Sequence, residues 1–358
     1  MICFIYPFRD REAQRVKRSL DSLAMQSDLD FRVEFVDYGS REDHANAIKE
    51  LVQSYSFANY TYHAVARQPW NKCRALNSVV KKLIDPYCFV ADVDMIFHPD
   101  LVSKLKQLQD PYKAVYFKVG FLDEEESAKD LAFDAYQPKF LSDDGATGLT
   151  LFPTQQLKNI NGFDEFYHFW GSEDTDVHVR LRQYGCEVGF YDQELLMLHQ
   201  WHKIYRAGPT DTLTAQLRVK GIERINYQYL KLVKEGNGPE VNPNGWGNIP
   251  SVSQMEQLQS IPPMELSNEL ETLEAFIAGV LPNLKAGAHA FVFKDLGDSG
   301  LRSKVKGFLG KKQQHYLDLK EVNDRLLLAI IATQRHRPYS FEVDTATPSV
   351  TFRVLIAS

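Results

Sequence analysis

The sequence predicts an α/β protein with a doubly wound, mostly parallel sheet and a smaller C-terminal α/β appendage. Short apolar runs alternate with amphipathic segments at the spacing of βαβ units through the first half of the 358 residues. The run Cys88–Ala91 is apolar without alternation, which is typical of a strand buried on both faces. A stretch rich in Gly, Pro and Asn at 237–250 precedes a region of different character. We therefore expect one domain over 1–250 and an accessory domain over 251–358.

The individual elements are predicted from hydrophobic periodicity and from turn and capping residues. In the first domain we predict strands at Ile2–Tyr6, Phe31–Val36, Tyr60–Val65, Cys88–Ala91, Ala114–Phe121, Leu149–Phe152, Glu187–Tyr191 and Leu195–Leu198. The predicted helices lie at Glu12–Met25, Glu42–Tyr55, Trp70–Leu83, Pro99–Leu108, between Ser172 as cap and Gly185 as end, and at Leu213–Glu235. In the appendage we predict helices at Glu265–Val280, Arg302–Leu309 and Leu319–Thr333, and strands at His289–Lys294, Tyr339–Val343 and Val350–Ile356.

Composition and charge exclude several classes of protein. The net charge is −6 and no basic block occurs, so nucleic acid is not an expected partner. The apolar stretch Ile2–Phe8 is too short for a signal peptide, and no apolar run approaches the roughly 20 residues that span a bilayer. Four cysteines without metal-ligand spacing are typical of reduced thiols. We expect a cytoplasmic protein, with peripheral membrane association left open.

Two aspartates follow the buried strand. Asp92 and Asp94 are spaced i, i+2 in the stretch FVADVDMIFH. A buried carboxylate is costly unless it is paired, so the pattern favours a metal ion or a basic partner. Ligands of open α/β sheets also bind at this end of the strands. The alternative is that the two acids only cap a turn.

Other charged residues are predicted at the same end of the sheet. Arg9 and Arg11 follow the first strand, and Asp37 follows the second. Further polar residues lie before or at the start of the helix that leads to the buried strand: Arg67, Asn71, Lys72 and Arg74. Cations beside a helix N-terminus are suited to binding a diphosphate. The alternative is that arginines at loop ends are merely solvated.

Two downstream motifs add candidate residues. In Trp170–Asp176, WGSEDTD, an aromatic ring precedes a run of acids, and a ring beside a carboxylate is a plausible sugar-stacking site. The alternative is a well-capped helix with no further role. In His199–His202, HQWH, two histidines spaced i, i+3 follow an apolar run and can present imidazoles to a metal.

These motifs, taken in order, resemble GT-A glycosyltransferases. YPFRDR at 6–11 resembles the PFRNR-type opening of β1,4-galactosyltransferases, and VDYGS at 36–40 resembles the VDDGS segment of family-2 glycosyltransferases. WNKCRALN at 70–77 is similar to their N-x-x-R-A-x-N helix, and DVD at 92–94 to the DxD signature. WGSEDTD resembles the galactosyltransferase WGGEDDD block, and HQWH resembles the terminal metal-histidine segment. The resemblance covers about 1–250 and none of 251–358.

The resemblance implies roles for these residues. Asp94 would bind Mn²⁺ or Mg²⁺, with Asp92 on the ribose or supporting the metal. The other protein ligand would be His202 by the pattern of polypeptide N-acetylgalactosaminyltransferases, or His199 by that of polysaccharide polymerases. The residues implied to bind the donor are Pro7, Phe8, Arg9, Arg11, Asp37, Arg67, Asn71, Arg74, Asp92 and Val93, with Asp37 on the uracil. Asp174 would be the base, with Glu173 beside it and Trp170 and Gly171 against the acceptor sugar.

We therefore expect an inverting, metal-dependent transferase that moves a sugar from a UDP-sugar to a saccharide or glycoconjugate hydroxyl. The WGSED block favours UDP-Gal or UDP-GalNAc, with UDP-GlcNAc and UDP-Glc left open. The alternatives are a glycosidase with paired carboxylates and an inactive protein that binds carbohydrate or nucleotide-sugar. For 251–358 we leave open an oligomerisation or acceptor-docking module and a methyltransferase-like remnant.

Overall fold

The computed structural model describes residues 1–203, 211–215, 217–295 and 314–357. Within these residues the chain forms two compact units. The first comprises Met1–His63, Trp70–Gly208 and Glu223–Asn248, and the second comprises Ala64–Pro69, Pro209–Ile222 and Ile249–Ser358, so far as they are described. The last crossing between the units falls next to the boundary expected at 250. The four earlier crossings, which bound 64–69 and 209–222, were not predicted.

The first unit contains most of the elements. Its strands are β1 (Ile2–Phe8), β2 (Phe31–Asp37), β3 (Ala58–Tyr62), β4 (Tyr87–Val90), β5 (Met95–Phe97), β6 (Lys113–Phe117), β7 (Gly120–Phe121), β8 (Phe140–Leu141), β9 (Thr150–Pro153), β10 (Glu187–Tyr191) and β11 (Met197–His199). Its helices are α1 (Ala13–Ala24), α2 (Glu42–Gln53), α3 (Lys72–Val80), α4 (Leu101–Gln107), α5 (Glu124–Ser127), α6 (Thr154–Asn159), α7 (Glu173–Tyr184) and α8, which starts at the boundary (Ile222–Lys234). No described helix has the length and apolar character needed to cross a bilayer.

The main sheet has the order β10-β6-β9-β4-β1-β2-β3. β4, β1, β2 and β3 run parallel, as do β6 and β10, whereas β9 is antiparallel to both of its neighbours. This confirms the predicted mixed α/β fold with a large, mostly parallel sheet.

The central strand β1 shows why the sheet is covered on both faces. All seven of its residues are buried. Ile2, Phe4 and Tyr6 pack in one apolar cluster with α1 and α2. Cys3 and Ile5 pack in another with α3, α6 and α7. Because successive strand residues point to opposite faces, an unbroken apolar strand requires helices on both sides.

A second, smaller sheet has the order β5-β11-β7-β8. The chain leaves the main sheet after Val90 and enters the second sheet at Met95, so both aspartates of the DVD motif lie in the connection, after the strand that they were predicted to follow. The predicted strand Ala114–Phe121 splits into β6 of the main sheet and β7 of the second sheet. Lys118 and Val119 lie at the split, and their N–H groups bond Tyr191 O and Ser142 Oγ.

Two helix predictions in the first unit need correction. Ser172 precedes α7 with φ of +76°, and its side chain makes no capping hydrogen bond with the described residues. α7 does end at Gly185, as predicted. The helix predicted from Leu213 begins only at Ile222, directly after Gly221 at φ +73°.

The second unit adds α9 (Val252–Gln259), α10 (Leu270–Ala275), α11 (Leu319–Thr333) and the strands β12 (Met264–Ser267), β13 (Gly287–Lys294), β14 (Tyr339–Asp344) and β15 (Ser349–Ile356). Its sheet order is β12-β13-β15-β14, with only β12–β13 parallel. The predicted helix Glu265–Val280 is wrong at its start, where Glu265–Ser267 belong to β12, but Leu270–Ala275 is helical and is followed by a π-helix at Phe276–Val280. The helix predicted at Arg302–Leu309 lies outside the described residues. This mostly antiparallel sheet does not support the methyltransferase-like interpretation.

The segment 64–69 belongs to this second unit because it is hydrogen-bonded to β14. Phe341 N–H donates to Arg67 O, and Gln68 Nε2 donates to Tyr339 O, both at 2.7 Å. The Arg67 guanidinium pairs with Glu342 at 3.1 Å.

The end of the stretch predicted as a linker or lid is instead fixed to the first unit. Gly247 N–H donates to Glu165 Oε1 at 2.6 Å, and Lys81 Nζ donates to Trp246 O and Asn248 Oδ1. Gly247 has φ +64°, and a Cβ there would lie 2.5 Å from Asn77 O. Only glycine fits this close approach to α3.

We predict that Gly247→Ala lowers the free energy of unfolding by about 3 kcal/mol, because it adds a clash with a backbone carbonyl to the cost of positive φ. Gly236→Ala is the matched control. Gly236 has φ +73°, and a Cβ added there would meet nothing within 4 Å, so about 1 kcal/mol is expected. Urea unfolding measures both, and equal losses would contradict the proposed clash.

Candidate active site

Asp94, His199 and His202 form a cluster at the junction of the two sheets. β5 pairs with β11 so that Met95 lies opposite His199, which brings the neighbouring Asp94 to the histidines. His202 Nε2 lies 3.2 Å from Asp94 Oδ2, and His199 Nε2 lies 3.7 Å from Asp94 Oδ1. The sequence left the choice between the two histidines open, and both face the same carboxylate.

The cluster is electrostatically prepared for a cation. Asp94 is 9% exposed, and its Oδ1 has no hydrogen-bond partner among the described residues. Burial raises the pKa of Asp94, but His199, His202 and Arg11 outweigh burial and hold it well below its usual range. The hydrogen bond to Asp94 raises the pKa of His202.

These three residues fit a divalent metal ion. They offer one ligand atom each, and the three atoms lie within 4.8 Å of one another. A carboxylate and two imidazoles are a donor set that suits Mn²⁺. The unsatisfied oxygen of Asp94 is the observation that favours a ligand there, because buried polar atoms are normally bonded.

A second cluster joins the DVD and EDTD motifs through Lys72, the first residue of α3. Its Nζ lies 3.3 Å from Asp92 Oδ1, 3.5 Å from Asp174 Oδ1 and 3.8 Å from Glu173 Oε1. Burial lowers the pKa of Lys72, but the three carboxylates outweigh burial and raise it well above its usual range. From the sequence, Lys72 was named only among several cations near the sheet end and was given no role. Its place at the start of α3 was the available signal.

The surroundings of Asp174 shift its pKa upward. Burial raises its pKa, Lys72 opposes this, and Glu173 and Asp92 add repulsion, which together raise the pKa to about 7. Gly148 leaves room beside it, because a Cβ there would lie 3.2 Å from Asp174 Oδ2 and 3.9 Å from Asp92 Oδ2. The two acidic motifs therefore line one cleft.

The turn before α7 holds Glu173 and exposes Trp170. Phe169, Gly171 and Ser172 all have positive φ. Gly171 N–H donates to Glu173 Oε2 at 3.0 Å, and Asn226 Nδ2 donates to Trp170 O at 3.2 Å. The Trp170 residue is 44% exposed, so part of its ring is open to a ligand.

The residues implied to bind the nucleotide divide into exposed and buried groups. Arg9 is partly exposed and Arg11 exposed. The side chains of Pro7, Phe8 and Val93 are buried, and Phe8 packs on Phe35 at 5.2 Å between ring centroids.

Asp37 is fully buried, and both of its carboxylate oxygens have partners. Oδ1 accepts from Ser40 N–H and Oδ2 from the Tyr60 hydroxyl, each at 2.8 Å. Burial raises its pKa. As it stands, this carboxylate holds the turn after β2, and its predicted contact with uracil stays a prediction.

Three of the residues predicted to contact the donor have other partners in the structure, and their donor contacts stay predictions. Arg74 is 1% exposed and donates from Nε to Glu165 Oε2 at 2.8 Å. Asn71 is fully buried and caps α3, with Oδ1 accepting from Arg74 N–H. Arg67 lies in the second unit with Glu342.

The sequence itself matches a family model over part of this site. Residues 129–205 match the family described as the N-terminal domain of galactosyltransferase. The matched segment contains WGSEDTD and both histidines, but not Lys72 or the DVD motif. With the parallel-rich α/β fold, this match supports a glycosyltransferase of the GT-A type.

Solved structures of glycosyltransferases are similar at low identity. The mannosyltransferase PcManGT from Pyrobaculum calidifontis, in complex with GDP-Man and Mn²⁺, is 16% identical with a TM-score of 0.45, covering 68% of this chain and 66% of that one. S. aureus TarS 1-349, in complex with UDP-GlcNAc, is 12% identical with a TM-score of 0.45, covering 64% and 66%. GalNAc-T7, with UDP, GalNAc and Mn²⁺, is 10% identical with a TM-score of 0.47, covering 64% and 48%. The chain thus spans less than two thirds of each of these proteins.

We predict that Arg74→Met lowers the free energy of unfolding by about 3–5 kcal/mol, because it leaves the buried Glu165 carboxylate without its charged partner. Arg67→Met is the matched control, since the Arg67 side chain is 53% exposed and its ion pair is worth about 1 kcal/mol or less. Urea unfolding compares the two variants. A stable Arg74→Met protein with weakened nucleotide binding would instead support the donor role.

Proposed function

We propose that the protein is an inverting, metal-dependent glycosyltransferase that moves a sugar from a UDP-sugar to a saccharide or glycoconjugate hydroxyl. The observation that carries the proposal is the cleft in which Lys72 joins Asp92, of the DVD motif, to Asp174 and Glu173, of the EDTD motif. Asp94, which lies beside the two histidines, is two residues along the chain from Asp92. Such a transfer needs a cation on the leaving side and a base on the attacking side, and in this proposal the Asp94 cluster would hold the cation and Asp174 would be the base.

On the donor side, Asp94, His199 and His202 would hold Mn²⁺ or Mg²⁺. When bound, the ion supplies Lewis acidity that neutralises charge on the departing diphosphate. Arg11 is exposed and close enough to lower the pKa of Asp94, so it is the described arginine best supported as a second cation for the diphosphate. The resemblance to galactosyltransferases favours UDP-Gal or UDP-GalNAc as donor.

On the acceptor side, Asp174 would accept the proton of the attacking hydroxyl. A carboxylate with a pKa of about 7 is a stronger base than an ordinary aspartate, and about half of it is ionised at neutral pH. Lys72 keeps that carboxylate charged and oriented. The exposed part of the Trp170 ring would pack on the acceptor sugar, and attack from the face opposite the leaving group gives inversion at the anomeric carbon.

We predict that the purified full chain releases UDP from at least one of UDP-Gal, UDP-GalNAc, UDP-GlcNAc and UDP-Glc in the presence of Mn²⁺, and that EDTA stops the release. Asp94→Asn should abolish release and weaken Mn²⁺ binding, because it removes the charged ligand. Asp134→Asn is the control, since its carboxylate is exposed. UDP is measured with a coupled assay.

Two results would contradict this function. Hydrolysis of a glycan without metal or nucleotide would identify a glycosidase. Binding of a UDP-sugar with no release, with or without saccharide acceptors, would identify a binding protein without transferase activity.

The pH profile tests the base. We predict that kcat/KM rises through about pH 7 as Asp174 loses its proton, and that Asp174→Asn lowers kcat by about 10²–10⁴-fold. Lys72→Met removes the cation that lowers the Asp174 pKa, so the rising limb should move to higher pH by roughly one unit or more. Lys72→Arg, which keeps the charge, should restore the limb. An unmoved limb in Lys72→Met would exclude Asp174 as the titrating base.

A further inference from the structure

A row of four residues crosses the small sheet at the metal-site candidate. In the strand registers, Met95 of β5 lies opposite His199 of β11, His199 opposite Phe121 of β7, and Phe121 opposite Phe140 of β8. Directly opposed residues of neighbouring strands have their side chains on the same face and within contact distance. Phe121 therefore lies between a candidate metal ligand and an outer phenylalanine.

The three rings in this row are stacked. The centroids of His199 and Phe121 lie 4.9 Å apart with 28° between the ring planes. Those of Phe121 and Phe140 lie 4.7 Å apart with 8° between the planes. Phe140 is nevertheless 54% exposed. The stack thus continues from the Asp94 cluster to the surface. At an exposed position a polar side chain would be better solvated than phenylalanine, so core packing alone does not explain the aromatic ring of Phe140.

The two histidines of the cluster differ in how their rings are held. A histidine that binds a metal is usually oriented by a hydrogen bond from its other ring nitrogen. His202 has one, since its Nδ1 lies 2.9 Å from Lys203 O. For His199 Nδ1, the described part of the chain provides no such partner. What contacts the His199 ring is Phe121 on β7, and the His202 ring at 5.1 Å.

We propose that Phe121, supported by Phe140, is the positioning residue for His199, whose ring it orients by stacking. The stack fixes the plane of the imidazole, so that Nε2 stays directed at Asp94, 3.7 Å away. This inference rests on the proposed function only in that Asp94, His199 and His202 bind a metal ion. It assigns to the paired strands β7 and β8 a role in metal affinity.

The test is Mn²⁺ binding to the full chain without any nucleotide, measured from the electron paramagnetic resonance signal of free Mn²⁺. Removing a group that orients a metal ligand typically costs 10–100-fold in metal affinity. We expect Phe121→Leu to weaken Mn²⁺ binding by about 10-fold. Phe121→Tyr keeps the stacked ring and should bind Mn²⁺ as the wild type does.

Matched variants separate positioning from general damage. Phe133→Leu removes another phenylalanine that contacts a histidine, His98, at 5.1 Å between centroids, and should leave Mn²⁺ affinity unchanged. Phe140→Leu changes an exposed residue, so it should fold normally and weaken binding to a smaller degree than Phe121→Leu. In a His199→Ala background, Phe121→Leu should have no further effect, because the ring it orients is gone.

The outcomes distinguish this inference from the proposed function. If the wild type binds Mn²⁺ and both Phe121→Leu and Phe140→Leu bind it equally well, the positioning role is wrong but the metal site is still supported. The same loss of affinity in Phe133→Leu, or a full additional loss in the His199→Ala background, would also overturn it. Absence of Mn²⁺ binding in the wild type would overturn both the metal site and the inference.

Discussion

The site depends on one partly buried ammonium group, that of Lys72, among three carboxylates. Without Lys72, the acids Asp92, Glu173 and Asp174 would face one another with no counter-charge from the described part of the chain. Such a group of acids is stable only if some are protonated or a cation lies between them. Lys72, the first residue of α3, supplies that cation. The length of its side chain sets how closely the two acidic motifs can approach. The same contact explains why an aspartate can remain a usable base where burial alone would favour its neutral form.

Much of the fold is predictable because it follows from local patterns. The unbroken apolar run of β1 required cover on both faces, and α11 has the bounds that its periodicity indicated, Leu319–Thr333. The predictions failed where pairing partners decide the structure. Met264–Ser267 pairs with β13 as a strand although its sequence is compatible with a helix. The strand before the DVD motif was predicted, but no strand was predicted at Met95–Phe97, because only pairing with β11 makes this stretch part of a second sheet.

The candidate site shows the same limit. The three residues of the candidate metal site could be selected from the sequence because carboxylate and imidazole are side chains that bind divalent cations, and they occur there in short motifs. Arg74 was assigned to the donor because an arginine at a helix start is typical of phosphate binding. The residue that neutralises it, Glu165, lies far along the chain, and nothing near Arg74 indicates that pair. Lys72 was given no role for the converse reason, since its three partners come from two distant segments.

The crossings of the chain between the two units bear on how the protein is made. Segment 64–69 bonds to β14, and Arg218 O accepts from Lys320 and Asn323 of α11. Both segments leave the ribosome long before the strand and helix that they contact. The nascent chain must therefore hold these pieces unpaired until α11 and β14 have been synthesised, although domains generally fold in order from the N-terminus. Segment 64–69 is separated from Lys72 by only Trp70 and Asn71, so the residues just ahead of α3 pair with a strand that is translated about 270 residues later.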